Sequence, residues 1–229
     1  MRRLLLALTL ALASPAAAQP APGPERFAPE IEAFAAADRA QPPPPPCGFL
    51  FVGSSSIRFW RTLAADMAPV AVINRGFGGS TVADVDAWFD KVVTPYRPRA
   101  IVFYAGENDV SAGKPPAEVA ADFARFMDLK TKALGQTPVW FISLKPSKLR
   151  WAQLAQQGEV NDEVKAQAAK RHDLHYIDVV PTMIEGGKPK EIFIGDGLHM
   201  TPQGYLLWTD VIRPIVEAEA KRPTACKAD

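Results

Sequence analysis

The chain has 229 residues, with 26 Lys and Arg against 25 Asp and Glu, a net charge of +1. That balance, with no long run of one sign, excludes the clustered basic face of a nucleic-acid binder and points to a small or neutral partner. The length suits one domain with a single sizeable core.

At the N-terminus, Arg2 and Arg3 precede an apolar run from Leu4 to Ala13, and Ala16, Ala17 and Ala18 follow as small residues. This is the pattern of a cleavable secretory signal, too short to span a bilayer comfortably. Residues 1–18 are therefore expected to be removed, leaving a periplasmic or secreted protein without a stable membrane anchor. No Cys follows the apolar run, which argues against a lipoprotein. The only cysteines are Cys47 and Cys226. An oxidising compartment makes a disulfide between them an expectation, with two unpaired thiols as the alternative.

Residues 19–25 read as a Pro-, Ala- and Gly-rich lead-in. Phe27, Ile31 and Phe34 recur at helical spacing up to about Ala40. Pro42 to Pro46 then stop the helix and form a stiff extended spacer. The expected division is residues 19–46 for helix and linker, 47–221 for the main domain and 222–229 for a tail.

From Cys47 onward, apolar strand candidates at 48–52, 70–74, 100–104, 139–144 and 174–179 alternate with helical patterns. The helices fall at 56–65, 82–93, 116–134, 151–171 and 202–220. Unbroken apolar strands between amphipathic helices predict an α/β fold, a parallel sheet covered on both faces. In such sheets ligands bind beyond the carboxyl ends of the strands.

Four polar segments sit at such ends or in late loops. They are Gly53-Ser54-Ser55-Ser56, Asn74-Arg75-Gly76-Phe77-Gly78-Gly79-Ser80, Gly106-Glu107-Asn108-Asp109 and Asp196-Gly197-Leu198-His199. Each alone has an ordinary explanation. A serine run caps helices, Gly76 to Gly79 could turn around a phosphate, and Asn108 and Asp109 could hold a turn. Asp196 and His199 could be a surface pair ahead of the helix start at Thr201-Pro202.

Taken together and in order, the four segments resemble the sequence blocks of the SGNH (GDSL-like) hydrolases. Gly53-Ser54-Ser55 is similar to the Gly-Asp-Ser block that bears the nucleophile, with Ser54 where the family usually has Asp. Gly79 resembles the glycine of the second block and Asn108 the asparagine of the third. Asp196-Gly-Leu-His199 is similar to the Asp-x-x-His block. The resemblance implies a three-layer α/β/α flavodoxin-like sandwich with a five-stranded parallel sheet. It also implies ester or thioester hydrolysis without metal or cofactor. By that resemblance Ser55 is the nucleophile, Ser56 caps the following helix, and Asp196 and His199 complete the triad. The oxyanion hole is then the Ser55 and Gly79 N–H groups with the Asn108 side chain, and Asp109 shapes its loop.

The residue chemistry agrees. A serine hydroxyl needs a base, and imidazole serves near neutral pH. Of the three histidines, His172 reads as a solvated helix end and His175 opens a strand. Only His199 has a carboxylate three residues before it, placed to accept its Nδ1 proton. Trp60, Trp140, Trp151 and the segment Ser143-Leu144-Lys145-Pro146-Ser147 are candidates for the mouth of the site, with core packing the alternative for each Trp. The absence of a long apolar lid favours short acyl or acetyl esters. Lysophospholipase and thioesterase activity remain open, as do a non-catalytic module that binds acylated sugar or lipid and a nucleotide-binding protein built on Gly76 to Gly79.

Overall fold

The computed structural model describes residues 23–40, 47–223 and 226. The expected signal at 1–18 and the proline run lie outside the described residues.

A short 3-10 turn, Pro24–Phe27, leads into α1, Ala28–Ala40. Then follow β1, Phe49–Gly53; α2, Ser55–Arg58; α3, Leu63–Asp66; and β2, Val72–Gly76. Next come α4, Val82–Ala87; α5, Phe89–Val92; β3, Ala100–Tyr104; α6, Glu107–Ser111; α7, Pro116–Leu134; and β4, Val139–Ile142. The chain ends with α8, Leu154–Ala168; β5, Leu174–Ile177; α9, Val180–Met183; β6, Ile184–Glu185; β7, Lys188–Pro189; and α10, Pro202–Ala220.

The five long strands form one parallel sheet in the order β2-β1-β3-β4-β5. Helices cover both faces, giving the three-layer α/β/α sandwich. Every residue of β1 and β3 is buried, as expected for strands covered on both sides. Alternation along β3 sends neighbours to opposite layers. Phe103 packs on Phe123 and Phe126 of α7, whereas Tyr104 packs edge-on against Trp208 of α10. From β1 the chain runs outward to β2, then crosses back to β3 on the other side of β1. The carboxyl ends of β1 and β3 therefore flank the point where the winding reverses, the expected position of a ligand crevice.

Two predicted helices are broken. The pattern at 56–65 divides into α2 and α3 because Trp60 turns into the core, against Phe51, Tyr205 and Trp208. Its indole N–H donates to Asp66 at 2.6 Å. The pattern at 82–93 breaks at Trp88, whose N–H donates to the Pro24 carbonyl at 2.9 Å. In both places burial of one large ring overrides local helical preference. The β6–β7 hairpin was not anticipated. Its turn is Gly186-Gly187, both with positive φ (56° and 73°), as a tight two-residue hairpin requires.

The N-terminal helix belongs to the same core. Phe27 and Ile31 are buried, and Phe27 meets Phe77 at 4.9 Å. Cys47 and Cys226 are joined as a disulfide, tying the entry to β1 to the C-terminal segment.

Candidate active site

The site begins where β1 ends. Gly53 has φ of 135°, and a Cβ there would lie 1.9 Å from the Tyr104 carbonyl oxygen on β3. Only glycine lets the two strands close up at this point. Ser54, buried and extended, then caps α2, its carbonyl accepting the Ile57 and Arg58 N–H groups. The cap is thus Ser54, not Ser56 as the sequence suggested. Ser56 lies within the helix turn, buried, and its carbonyl accepts the Tyr205 hydroxyl at 3.0 Å. The displacement follows from the sharp turn at Gly53, which moves the cap two residues earlier and presents Ser55 as the first residue of the helix.

His199 Nε2 lies 2.9 Å from Ser55 Oγ, across 144 residues of sequence, and His199 Nδ1 lies 2.6 Å from Asp196 Oδ2. The other oxygen of Asp196 accepts the Leu198 and His199 N–H groups at 2.8 and 2.9 Å. Burial pushes the Asp196 carboxyl up. The His199 ring and these two N–H groups outweigh burial and hold it at about 2, so it is ionised at neutral pH. That charge fixes Nδ1–H on the ring and leaves Nε2 free to accept the serine proton. Phe59 steadies the imidazole edge-on at 4.8 Å. An antiparallel bridge, Phe193 to Met200, closes the loop behind His199.

The second and third polar segments follow β2 and β3, the strands on either side of β1, and are tied to each other. Asn108, at the start of α6, donates through Nδ2 to the Ser80 carbonyl at 2.9 Å, next to Gly79. Asp109 receives the Val82 N–H at 3.2 Å from each oxygen, joining the loop after β3 to the start of α4. Burial pushes its carboxyl up to about 6. This matches the loop-shaping place expected for Asp109. Gly79 has φ of 76°, and a Cβ there would meet nothing within 4 Å, so its backbone faces open space. Among the described residues the Ser55 and Gly79 N–H groups donate to no protein acceptor. Unpaired N–H groups and a side-chain amide are the kind of donors that can receive a developing oxyanion.

Three residues near the site take parts that the sequence did not assign: Lys145, expected only to line the mouth, Glu107 and Arg150. Lys145, fully buried after β4, donates to both oxygens of Glu107 at 3.1 and 3.3 Å and to the Leu198 carbonyl at 3.0 Å. Burial pushes its ammonium pKa down, opposed by the Glu107 charge. Glu107 also accepts the Tyr104 hydroxyl at 2.6 Å. Arg150 donates to Asn108 Oδ1 at 2.8 Å. The signal available in sequence was a lone lysine directly after an apolar strand, in a segment considered only for lining the mouth.

The remaining candidates lie elsewhere. Trp60 is core, and Trp140 stacks on His175 at 4.2 Å within the sheet. Trp151 is half-buried in a 3-10 turn before α8. His172 is exposed. The Gly78 N–H is taken by the Glu30 carboxylate at 3.2 Å, a partner that would repel a phosphate. Among the described residues no group of His, Cys, Asp and Glu is arranged to hold a metal ion. Nor is any helix there long and apolar enough to cross a membrane.

An apolar cavity of about 370 Å³ adjoins His199, lined by Phe59, Ile194, Met200, Pro202 and Tyr205, with Arg61 and Thr62 also contributing. A larger one of about 600 Å³ lies near Arg97, Gln136 and Cys226, beside the amino ends of the strands and away from this chemistry.

Residues 47–207 match the family described as GDSL-like Lipase/Acylhydrolase. Among solved structures, the chain is similar to a GDSL-like lipase from Bacteroides thetaiotaomicron (21% identity, 82% of this chain and 97% of that chain, TM-score 0.69). It is also similar to a member of the lipolytic protein G-D-S-L family from Veillonella parvula (20% identity, 73% and 97%, TM-score 0.59). A third similar structure is a carbohydrate esterase family 3 protein from Talaromyces cellulolyticus (15% identity, 77% and 100%, TM-score 0.62). At these identities the structures establish a shared fold. No curated protein matches the chain.

Proposed function

Because the chain belongs to the GDSL-like lipase/acylhydrolase family, we propose that it hydrolyses carboxylic esters with Ser55 as nucleophile, His199 as base and Asp196 as its orienting partner. The observation that carries this reading is the unbroken hydrogen-bonded chain from Asp196 through His199 to Ser55, at 2.6 and 2.9 Å. Ser55 Oγ attacks the ester carbonyl carbon while its proton passes to His199 Nε2. The carbonyl oxygen becomes an oxyanion, met by the Ser55 and Gly79 N–H groups and the Asn108 amide. The tetrahedral adduct collapses by breaking the bond to the leaving oxygen, which takes the proton from His199. A water molecule then gives His199 a proton, attacks the acyl-enzyme and releases the acid, restoring the Ser55 hydroxyl.

Short acyl or acetyl esters are the favoured substrates. The similar fold of a carbohydrate esterase supports acetylated sugars as one class to test. The apolar cavity beside His199 favours esters with a compact apolar group on one side. The export pattern at the N-terminus and the Cys47–Cys226 bond support a periplasmic or secreted location.

The test is labelling with a fluorophosphonate probe alongside hydrolysis of 4-nitrophenyl esters of graded chain length. Labelling and turnover of the parent, both lost in Ser55→Ala but kept in Ser54→Ala, support the reading. A parent that neither labels nor turns over would leave the non-catalytic binding module in its place. Mass spectrometry of the exported protein tests location, with cleavage after Ala18 expected and an intact N-terminus the contrary result.

A further inference from the structure

The amide of Asn108 is the one proposed oxyanion donor that is a side chain, and so the one whose direction the backbone does not set. Its two polar ends meet partners of fixed character. Arg150 Nη2 can only donate, and lies 2.8 Å from Oδ1; the Ser80 carbonyl can only accept, and lies 2.9 Å from Nδ2. A flipped amide would place two donors together at one end and two acceptors at the other. The orientation is therefore determined, with one Nδ2 hydrogen on Ser80 and the second left for a ligand.

The same guanidinium enters a buried ionic cluster. Arg150 Nη1 lies 3.5 Å from Glu107 Oε1, and Lys145 Nζ lies 3.1 Å from Glu107 Oε2. The side chains of Lys145, Glu107 and Arg150 are 0%, 4% and 12% exposed. Glu107 thus bridges Lys145 and Arg150 and holds the guanidinium in a fixed place beside Asn108.

We propose that Arg150 is a positioning residue for ester hydrolysis: it locks the Asn108 amide with an N–H toward the oxyanion. The inference rests on the esterase reading above. It predicts that Arg150 acts on the transition state and little on substrate binding, because the oxyanion exists only after attack.

The experiment compares the parent, Arg150→Met, Arg150→Lys and Arg150→Ala with 4-nitrophenyl acetate and a fluorophosphonate probe, alongside melting temperatures. For Arg150→Met, kcat should fall about 30-fold, below the effect of deleting an oxyanion donor outright, with KM within about twofold. Added guanidinium chloride, at concentrations that leave the melting temperature unchanged, should restore part of kcat in Arg150→Ala and none in Ser55→Ala. Arg150→Lys should recover only part of the loss, since one ammonium cannot reach Asn108 and Glu107 with the same fork. If Arg150→Met does not fold, Arg150→Lys and the guanidinium response of Arg150→Ala carry the decision. A labelled, active parent whose folded Arg150 variants keep kcat within about threefold, or lose it without guanidinium rescue, would overturn this inference alone. An unlabelled, inactive parent would overturn the esterase reading and this inference with it.

Discussion

His199 and Asp196 are joined twice. One carboxylate oxygen meets the imidazole Nδ1 at 2.6 Å, and the other accepts the backbone N–H of the same histidine at 2.9 Å. The short Asp-Gly-Leu-His spacing makes this possible, since one carboxylate can cap the turn and orient the ring together. Asp196→Asn keeps the size and can still cap, but offers an amide that favours the wrong imidazole tautomer. A loss in kcat of up to about 10⁴-fold is expected, with a small fall in melting temperature as the charge on the turn is lost. Steady-state kinetics and a thermal melt check both halves. The folded pKa of about 2 lies below the ordinary 3.8, so the stability this group adds is present above pH 4 and is lost as pH falls through 2.

Asp86 places an opposite dependence in the fold. Burial pushes its carboxyl from 3.8 up to about 7, against the pull of Arg125. The Arg125 Nε is 3.4 Å away, too long for a good hydrogen bond, and among the described residues neither Asp86 oxygen has such a partner. A folded pKa above the unfolded one means the native state binds the proton more tightly. Asp86 therefore costs nothing below about pH 4, and its destabilisation builds as pH rises from 4 to 7, where the unfolded carboxyl has lost its proton and the native one still holds it. Asp86→Asn should gain about 1 kcal/mol at pH 8 and much less at pH 4.5, little being lost with the exposed Arg125 partner. Urea melts at the two pH values measure it.

Asp109 should matter for both stability and rate. Its carboxylate receives the first N–H of α4, and that helix begins three residues after Gly79. Asp109→Ala removes the carboxylate that accepts that N–H, and a loss of about 2 kcal/mol is expected. Asp109→Asn keeps one acceptor and should lose less. Its stability should also fall less between pH 4 and 6, because there the native carboxyl, at about 6, keeps a proton that the unfolded one has already shed. Denaturant titration across that range separates the two variants.

The layers and the candidate site were legible in sequence for different reasons. Strands such as Ala100–Tyr104 stand out because burial on both faces demands an unbroken apolar run. The helices at Pro116–Leu134 and Pro202–Ala220 stand out through proline starts and amphipathic spacing. Ser55, Gly79 and Asn108 fell after strands, and Asp196 and His199 in the loop before the last helix, all in family order. What stayed hidden depends on distant partners. Trp60 and Trp88 break helices only because a core elsewhere receives their rings. Lys145 and Arg150 show their place only when Glu107, Asn108 and Leu198 are brought alongside, and no local pattern encodes that meeting.

The Cys47–Cys226 bond closes a loop with a sequence separation of 179 residues. In the chain-entropy view, so long a loop restricts the unfolded chain by about 5 kcal/mol, with measured gains usually smaller. Cys47 stands just before β1, and Cys226 adjoins Arg97 and Pro223 around a cavity at the amino ends of the strands. Ser55, Asn108 and His199 stand at the opposite, carboxyl ends. The bond thus constrains the unfolded state without touching the chemistry. Cys47→Ser with Cys226→Ser should lower the melting temperature by several degrees, while kcat and KM at 25 °C stay within about twofold of the parent. A matching loss of kcat in the folded double variant would show that strain from this end reaches the site. Unchanged melting would show that the reduced chain already holds the two ends together by packing alone.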